Sequence, residues 1–571
     1  MTMVTDDQLP ASVRDDALTR ARSLIEVAAR PASRRERATR RDLKRLFSDP
    51  RAVEVTITLT DEVMRFRAEQ SAASALRDAA AKTSARGFGA LNAIGLRALA
   101  RTSRLAPALS QKIVAAKMRS LTENLILDAA PRELTQQFAR HTAAGLRLNV
   151  NVLGEAVLGE AEANGRLARV IEVIRRPDVD YVSVKLSAVA SQLLTIDRTG
   201  SLERVAEKLR LLYREAMARD TFVNLDMEEY RDLRLTLDAF TTVLDEPEFL
   251  ALRAGIVLQA YLPESHTALE ELITFSKRRH REGGGMVKVR LVKGANLAME
   301  GVEAELHGWR AAPFGSKADV DASYLRLLDV ALRGEHAKSL RVGVASHNLF
   351  HVAWALELAK YRGVLEQLDV EMLEGMASAE AHALTQSGQP VLLYAPVTRR
   401  DDFASAVAYL VRRLDENTSP ENYLRAALFI ADDPAVYREQ EDRFTHALEQ
   451  RHAVDLASRR GPEALPDETF RNEPDGDPTQ DGYVNAVVAA LDEVRGVEAA
   501  RIDTLGHLGA DGDTWEDGHD PNNEFRVWYR YRVANVAQID EALEHASSGF
   551  ASWHRLPGAQ RRETLLRAAG V

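Results

Sequence analysis

No cysteine occurs anywhere in this 571-residue sequence. Disulfides, thiolate nucleophiles and cysteine-ligated metal centres are thereby excluded together. The composition suits a reducing compartment, and the expected location is the cytoplasm, with contact at most to the inner face of the cell membrane. Long apolar runs are also missing. No stretch reaches the roughly 18 uninterrupted apolar residues of a membrane span. The opening MTMVTDDQLPASVRDDALTR lacks the apolar core of a secretion signal. A soluble chain, or one lying on a membrane surface, is expected. Charge of neither sign is in large excess: 75 Lys and Arg against 85 Asp and Glu leave a formal charge of −10. So mild a balance argues against a nucleic-acid partner.

What is present divides into three textures. Residues 1–144 read as helix throughout, rich in Ala, Leu, Arg and Glu with apolar residues at three- and four-residue intervals. The basic run Arg30–Arg45 reads as a solvated helix face, with attraction to anionic lipid as the alternative. The apolar, basic stretch Ala90–Met118 raises the same pair of readings, and internal packing is expected. Residues 441–571 hold a linker dense in Pro, Gly and Asp (PDETFRNEPDGDPTQDG). A strand-like run from Phe525 and a helix from about Ala537 follow it.

Between them, residues 145–440 alternate. Eight short runs are separated by longer helical patterns: LRLNVNVL, YVSVKLS, FVNLDM, IVLQAY, MVKVRLV, RVGVAS, LDVEMLE and VLLYAPV. Nearly continuous apolar runs suit strands buried on both faces of a parallel sheet. Eight such βα repeats predict a closed (β/α)8 barrel. An open doubly wound sheet would carry a Gly-rich phosphate turn after its first strand. The chain after Leu153 reads GEAVLGEAEANG, which is not that turn.

Barrel enzymes place their chemistry at the C-terminal ends of the strands. There this sequence places Glu155, Lys185, Asp226 with Glu228 and Glu229, Gln259, Tyr261, Arg290, Lys293, Gly294, the triplet Ser346–His347–Asn348, Glu371, Leu373 and Tyr394. Lys185 and Arg290 lie inside apolar runs, where an unpaired charge would cost several kcal/mol. Each must face a counter-charge or a polar ligand. After the last strand, Tyr409, Arg412, Arg413 and Glu416 recur at three- and four-residue intervals, so most of them share one helix face. Two arginines beside a tyrosine suit a planar carboxylate gripped by charge-assisted bonds. The alternative is a solvated basic helix edge.

Taken together, VSVKLSAV, NLDMEEY, VLQAYL, VRLVKGA, ASHN, YAPV and YLVRRLDEN resemble the proline dehydrogenase module of the proline utilization A family, in the family's order. The resemblance implies a distorted (β/α)8 barrel that binds FAD, oxidises L-proline and passes electrons to a membrane quinone, with no metal. It implies that Arg412 and Arg413 bind the substrate carboxylate, helped by Lys185. Tyr394, Tyr409 and Leu373 would pack around the ring, and Asp226 would line the site behind Tyr394. Arg290 would hydrogen-bond the flavin. Gln259, Lys293, Gly294 and Ala295 would be further flavin contacts, and Ser346, His347, Asn348 and Glu416 would serve its distal parts. Glu155 would pair with Arg412 as a gate.

The sequence also departs from that pattern. Asn296 and Leu297 stand where relatives have Tyr-Trp, and Val320 precedes Asp321 where a Thr-Asp pair is usual. No ribbon-helix-helix strand is seen near the start. FRVWYRYRVANVAQIDEAL and FASWHRLPGAQRRETLLRAAG resemble the opening of an aldehyde dehydrogenase, whose catalytic residue is a cysteine. The expected architecture is therefore a helical N-terminal region, the barrel, and a partial α/β aldehyde-dehydrogenase-like segment. The chain is expected to form the cyclic imine without oxidising it onward. Two other readings stay open: a flavin-free barrel lyase using Lys185 or Lys293 as a Schiff base, and an inactive scaffold.

Overall fold

All eight runs form strands, because each offers β-branched and aliphatic residues along at least one face of a pleated ribbon. They are β2 (Leu146–Val152), β3 (Tyr181–Lys185), β4 (Phe222–Asp226), β5 (Ala254–Gln259), β6 (Val287–Val292), β7 (Leu340–Ala345), β8 (Leu368–Leu373) and β9 (Val391–Thr398). A computed structural model describes residues 9–30, 41, 44–46, 48–63, 66, 68–122, 125–154, 157–399, 421–461, 474–495, 500–502 and 514–569. Each strand pairs in parallel with the next, and β9 pairs with both β8 and β2, which closes the ring. A two-residue strand, β1 (Leu127–Asp128), pairs in parallel with Val397 and Thr398 of β9. The (β/α)8 barrel expected from the spacing is thus the observed fold.

Side chains alternate along each strand. On β6, Val287, Val289 and Leu291 join the apolar core shared with the surrounding helices. Lys288 and Arg290 take the other parity and point into the barrel, where each meets a carboxylate from β8.

The outer layer is built from helices with defined starts. Asp197, Ser316 and Asn348 cap Arg198–Arg219, Lys317–Ala331 and Leu349–Tyr361, each accepting a backbone N–H at 3.0 Å. The helix Leu349–Tyr361 is apolar on nearly every side, so one covering layer is not enough for it. The N-terminal helix Ala11–Ala28 supplies a second. Its buried stripe of Ala17, Ala21, Leu24, Ile25 and Ala28 joins the barrel core, and Arg20 reaches Glu357 at 2.5 Å. The small side chains allow close helix approach.

A separate core lies farther along the N-terminal region. Helices Pro50–Thr58, Glu69–Lys82, Ala90–Thr102 and Pro107–Thr122 gather around Val55, Leu59, Val63, Leu76 and Val114. Here internal packing was expected of Ala90–Met118, and the structure corrects it. Only one stripe, including Ala93, Ala100 and Val114, faces inward. Leu91, Ile94, Leu105, Leu109 and Ile113 are exposed, Leu91 and Leu105 to about nine-tenths (88% and 91%). A helix on the edge of a small bundle buries only one stripe, occupied here largely by small residues. The basic run Arg30–Arg45 lies largely outside the described residues.

Contacts divide the chain into Met1–Thr479 and Gln480–Val571. The helix Pro434–Gln450 runs through position 440, where the sequence texture changes, and buries Phe444, Ala447 and Leu448 in the barrel core. The smaller unit contains β10 (Ala500–Ile502), parallel to β12 (Asn523–Val533), which pairs antiparallel with β11 (Thr514–Asp520). The helix Val536–Arg555 follows, started by a capping box between Asn535 and Gln538. No described helix is long and apolar enough to cross a membrane.

Candidate active site

The inside of a (β/α)8 barrel is ordinarily filled by Val, Ile and Leu. This one is filled by ions and amides. Six charges alternate in sign across it. Arg341 pairs with Asp369 (2.5 Å), Asp369 with Lys288 (2.9 Å) and Lys288 with Glu371 (2.6 Å). Glu371 then pairs with Arg290 (2.9 Å), and Arg290 with Asp226 (2.9 Å). Arg290 is the hub. Its Nη1 donates to Asp226 Oδ1, its Nη2 donates to Ser183 Oγ at 2.6 Å, and its Nε lies against Glu371 Oε2. Tyr394 stands with its ring 5.3 Å from the guanidinium and donates its hydroxyl to Asp226 Oδ2 at 2.9 Å. Asn224 Nδ2 donates to Asp226 Oδ1 at 3.1 Å. Burial works against the charged form of Arg290, but Asp226 and Glu371 outweigh it and hold the group above the ordinary arginine value. The same contest, with Glu371 as the largest opposing partner, leaves Lys288 raised. Tyr181, beneath Lys288, is pushed up to about 12, chiefly by burial.

Nearer the open end, Lys185 Nζ lies 2.5 Å from Glu228 Oε1. The backbone carbonyl of Glu228 accepts from Gln259 Nε2 and from the Tyr261 hydroxyl, both at 3.1 Å. Gln259 Oε1 is buried with no hydrogen-bond partner among the described residues. An orphaned buried acceptor of this kind calls for a ligand donor or a water. After β6, Gly294 sits at φ +116°, a conformation that favours glycine, and an added Cβ would fall 2.5 Å from the Tyr261 ring. Lys293 and Lys317 converge on one oxygen of Asp321, at 2.6 and 2.5 Å. Burial pushes Lys293 down to about 7 against the pull of Asp321, with Lys317 adding to the fall. With both lysines protonated, two ammonium groups on one carboxylate leave an excess of positive charge suited to an anion. Beside these, burial and the neighbouring acids Glu303 and Glu229 raise Glu300 to about 7, although it accepts from the Tyr230 backbone N–H at 2.7 Å.

The orphaned Gln259 acceptor, the cationic Lys293–Lys317 pair and the shaved backbone at Gly294 fit a cofactor that combines a planar polar ring with phosphates. Ser346, His347 and Asn348 follow β7. Ser346 Oγ accepts from the Asn348 N–H at 3.1 Å, and Asn348 begins the next helix. Leu373 ends β8 and pairs in register with Tyr394. Ala295 follows Gly294, and Asn296 is buried at the start of the helix Leu297–His307.

Lys185, Asp226, Gln259, Arg290, Lys293, Gly294, Ala295, Ser346, His347, Asn348, Leu373 and Tyr394 therefore occupy the inner face or C-terminal rim of one barrel. Glu155, Tyr409, Arg412, Arg413 and Glu416 lie outside the described residues. Among the described residues no cluster of His, Asp and Glu gathers that could hold a metal ion. Sequence reasoning assigned no role to Lys288, Glu371, Ser183, Glu228 or Asp321. A signal for two of them exists: Lys-Val-Arg in MVKVRLV and Asp-Val-Glu in LDVEMLE put like-signed pairs on one face of a buried strand.

A family model described as proline dehydrogenase matches residues 134–426. The bifunctional protein PutA of Escherichia coli (strain K12) is 26% identical over 334 residues, covering 55% of this chain and 25% of that protein. The proline dehydrogenase of Deinococcus radiodurans is 26% identical over 320 residues, covering 55% of this chain and 90% of that enzyme. Among solved structures, proline utilization A from Corynebacterium freiburgense shares 48% identity at a TM-score of 0.60, over 69% of this chain and 38% of that one. The protein from Bdellovibrio bacteriovorus, inactivated by N-propargylglycine, shares 23% identity. Its TM-score is 0.77 over 96% of this chain and 56% of that one, a likeness of fold. The chain matches over about a quarter of the length of the bifunctional curated relative (25%).

Proposed function

The chain belongs to the proline dehydrogenase family, and from that premise we propose that it oxidises L-proline to 1-pyrroline-5-carboxylate with FAD as cofactor and a membrane quinone as final acceptor. The observation that carries the reading is Arg290, buried inside the barrel and held by Asp226 and Glu371 beside Tyr394. The cofactor would supply a two-electron acceptor for hydride. The protein's part is positioning and electrostatics. Arg412 and Arg413 grip the substrate carboxylate, and Lys185 adds positive potential at the mouth. Tyr394, Tyr409 and Leu373 wall the ring and exclude water. Arg290, Gln259, Lys293, Gly294 and Ala295 would hold the flavin, with Ser346, His347, Asn348 and Glu416 toward its distal end. Glu155 would pair with Arg412 and close the pocket, as the family resemblance implies.

The purified protein tests this directly. A yellow protein that reduces a dye on addition of L-proline is expected, and Arg412→Met or Arg413→Met should raise KM for proline by at least tenfold. A preparation that takes up no FAD would overturn the reading. The lowered pKa of Lys293 favours one alternative, a Schiff-base lyase, and borohydride trapping of a carbonyl substrate on that lysine would establish it.

Electron transfer to a membrane quinone requires contact with a bilayer, and one surface supports it. Residues 79–122 contain no Asp or Glu. Exposed Leu91, Ile94, Leu105, Leu109 and Ile113 stand beside Arg101, Arg104, Lys112 and Lys117. An apolar stripe on a segment whose own charges are all cationic suits an anionic lipid surface. We further read residues 480–571 as the opening part of an aldehyde-dehydrogenase-type domain. The resemblance of FRVWYRYRVANVAQIDEAL supports this.

A further inference from the structure

Glu371 and Arg290 lie on β8 and β6, which are not neighbours, since β7 runs between them. The side chains meet because the β7 position that faces them is Gly343. A Cβ there would fall 2.3 Å from Glu371 Oε1, 3.0 Å from Lys288 Cε and 3.2 Å from Arg290 Cα. The missing side chain of Gly343 is thus the space through which Glu371 crosses. Once across, its two oxygens are divided between two cations. Oε1 takes Lys288 Nζ at 2.6 Å and Oε2 takes Arg290 Nε at 2.9 Å. Lys288 is in turn answered by Asp369, and Asp369 by Arg341, so no buried charge in the row lacks a counter-charge.

Asp226 alone would restrain the guanidinium at Nη1 and leave its plane free to turn about that contact. Glu371 at Nε and Ser183 at Nη2 remove that freedom. We propose that Glu371, admitted by the notch at Gly343 and anchored from below by Lys288, is the positioning residue of Arg290, and that it sets the orientation in which Arg290 meets the cofactor. This rests on the flavin reading of the site. A buried ion pair that served stability alone would have no bearing on a bound flavin. A positioning residue does, because a guanidinium turned by even about 1 Å loses much of its effect on the group it addresses.

Full-length wild type, Glu371→Gln, Glu371→Asp and Gly343→Ala are to be stripped of cofactor and titrated with FAD. The absorbance and midpoint potential of the bound flavin are then recorded together with the unfolding midpoint. Glu371→Gln and Gly343→Ala should each raise the FAD dissociation constant about tenfold or more. Glu371→Gln should also move the flavin potential to more positive values, since it removes a negative charge from beneath the site. Glu371→Asp should recover part of the affinity. Should Glu371→Gln fail to fold, Gly343→Ala, which keeps every charge, decides the matter on the same readings. Variants with lowered unfolding midpoints but unchanged FAD affinity, spectrum and potential would overturn the proposal and leave the flavin reading intact. Wild type that binds no FAD would overturn both.

Discussion

Asp226→Asn tests whether the charges inside the barrel act as one balanced row. Asparagine keeps the shape and an acceptor for Tyr394, but removes the charge that faces Arg290 Nη1 at 2.9 Å. Both side chains are nearly sealed from solvent, 5% exposed for Arg290 and 8% for Asp226. Breaking a buried pair by removing one partner costs about 3–5 kcal/mol. Arg290 would still hold Glu371 and Ser183, so the lower end applies, about 3 kcal/mol. Arg290→Met should cost a similar amount, since it strands Asp226 among Tyr394 and Asn224. The double variant removes one charge of each sign and restores the balance. Its loss should fall short of the summed single losses by roughly 2–3 kcal/mol. Urea unfolding of the cofactor-free proteins, followed by circular dichroism, reads all four corners of the cycle. The difference should persist at high salt, because a pair this deep is poorly screened. Single losses that add to within about 0.5 kcal/mol would mean that Arg290 does not depend on Asp226, and the balanced row would have to be abandoned.

Three other expectations concern separate features. Lys293 is held down at about 7 in the folded chain, against 10.5 in its ordinary state. The unfolded chain therefore binds more protons between those values, and cofactor-free protein should gain stability as pH rises through that window. If Lys293 serves FAD as proposed, the anionic cofactor would favour the protonated lysine, so FAD affinity should fall over the same range, by at most about tenfold per pH unit. A flat fluorescence titration from about pH 6 to 9 would refute the link. Gly294→Ala should lower stability by about 2–4 kcal/mol in denaturant titrations, through left-handed strain and a clash with the Tyr261 ring. Loss under about 0.5 kcal/mol would mean that the loop has room to move. Flotation with vesicles containing anionic phospholipid should carry the wild-type chain. Leu91→Asp combined with Leu105→Asp should leave it in the soluble fraction, and neutral vesicles should bind weakly. Equal flotation of wild type and double variant would remove Ala90–Met118 from the membrane reading.

Much of the barrel was legible because its signals are local. Apolar runs such as IVLQAY and VLLYAPV can be buried on both faces whatever lies beside them, and their spacing leaves room for one connecting helix each. Strand parity is equally local. Once β6 is a strand, Lys288 and Arg290 share a face, and Asp369 and Glu371 share one on β8. The sequence by itself therefore determined that charge enters the barrel and near which strand ends it gathers. It also ruled out thiol chemistry through the absence of cysteine. Which charge meets which was decided only by closure of the ring. Closure brings β9 against β2 and lets Glu371 pass over Gly343 to Arg290, a meeting of residues 81 positions apart that no local pattern encodes. The pairing of Lys185 with Glu228 is of the same kind, as is that of Lys293 with Asp321. So is the outward turn of Leu91 and Leu105, whose periodicity marks an apolar stripe but not the side on which the bundle ends. Periodicity states what each residue offers; the partner is chosen by long-range packing, where the cost of an unpaired buried charge selects the arrangement in which the charges of this row are matched.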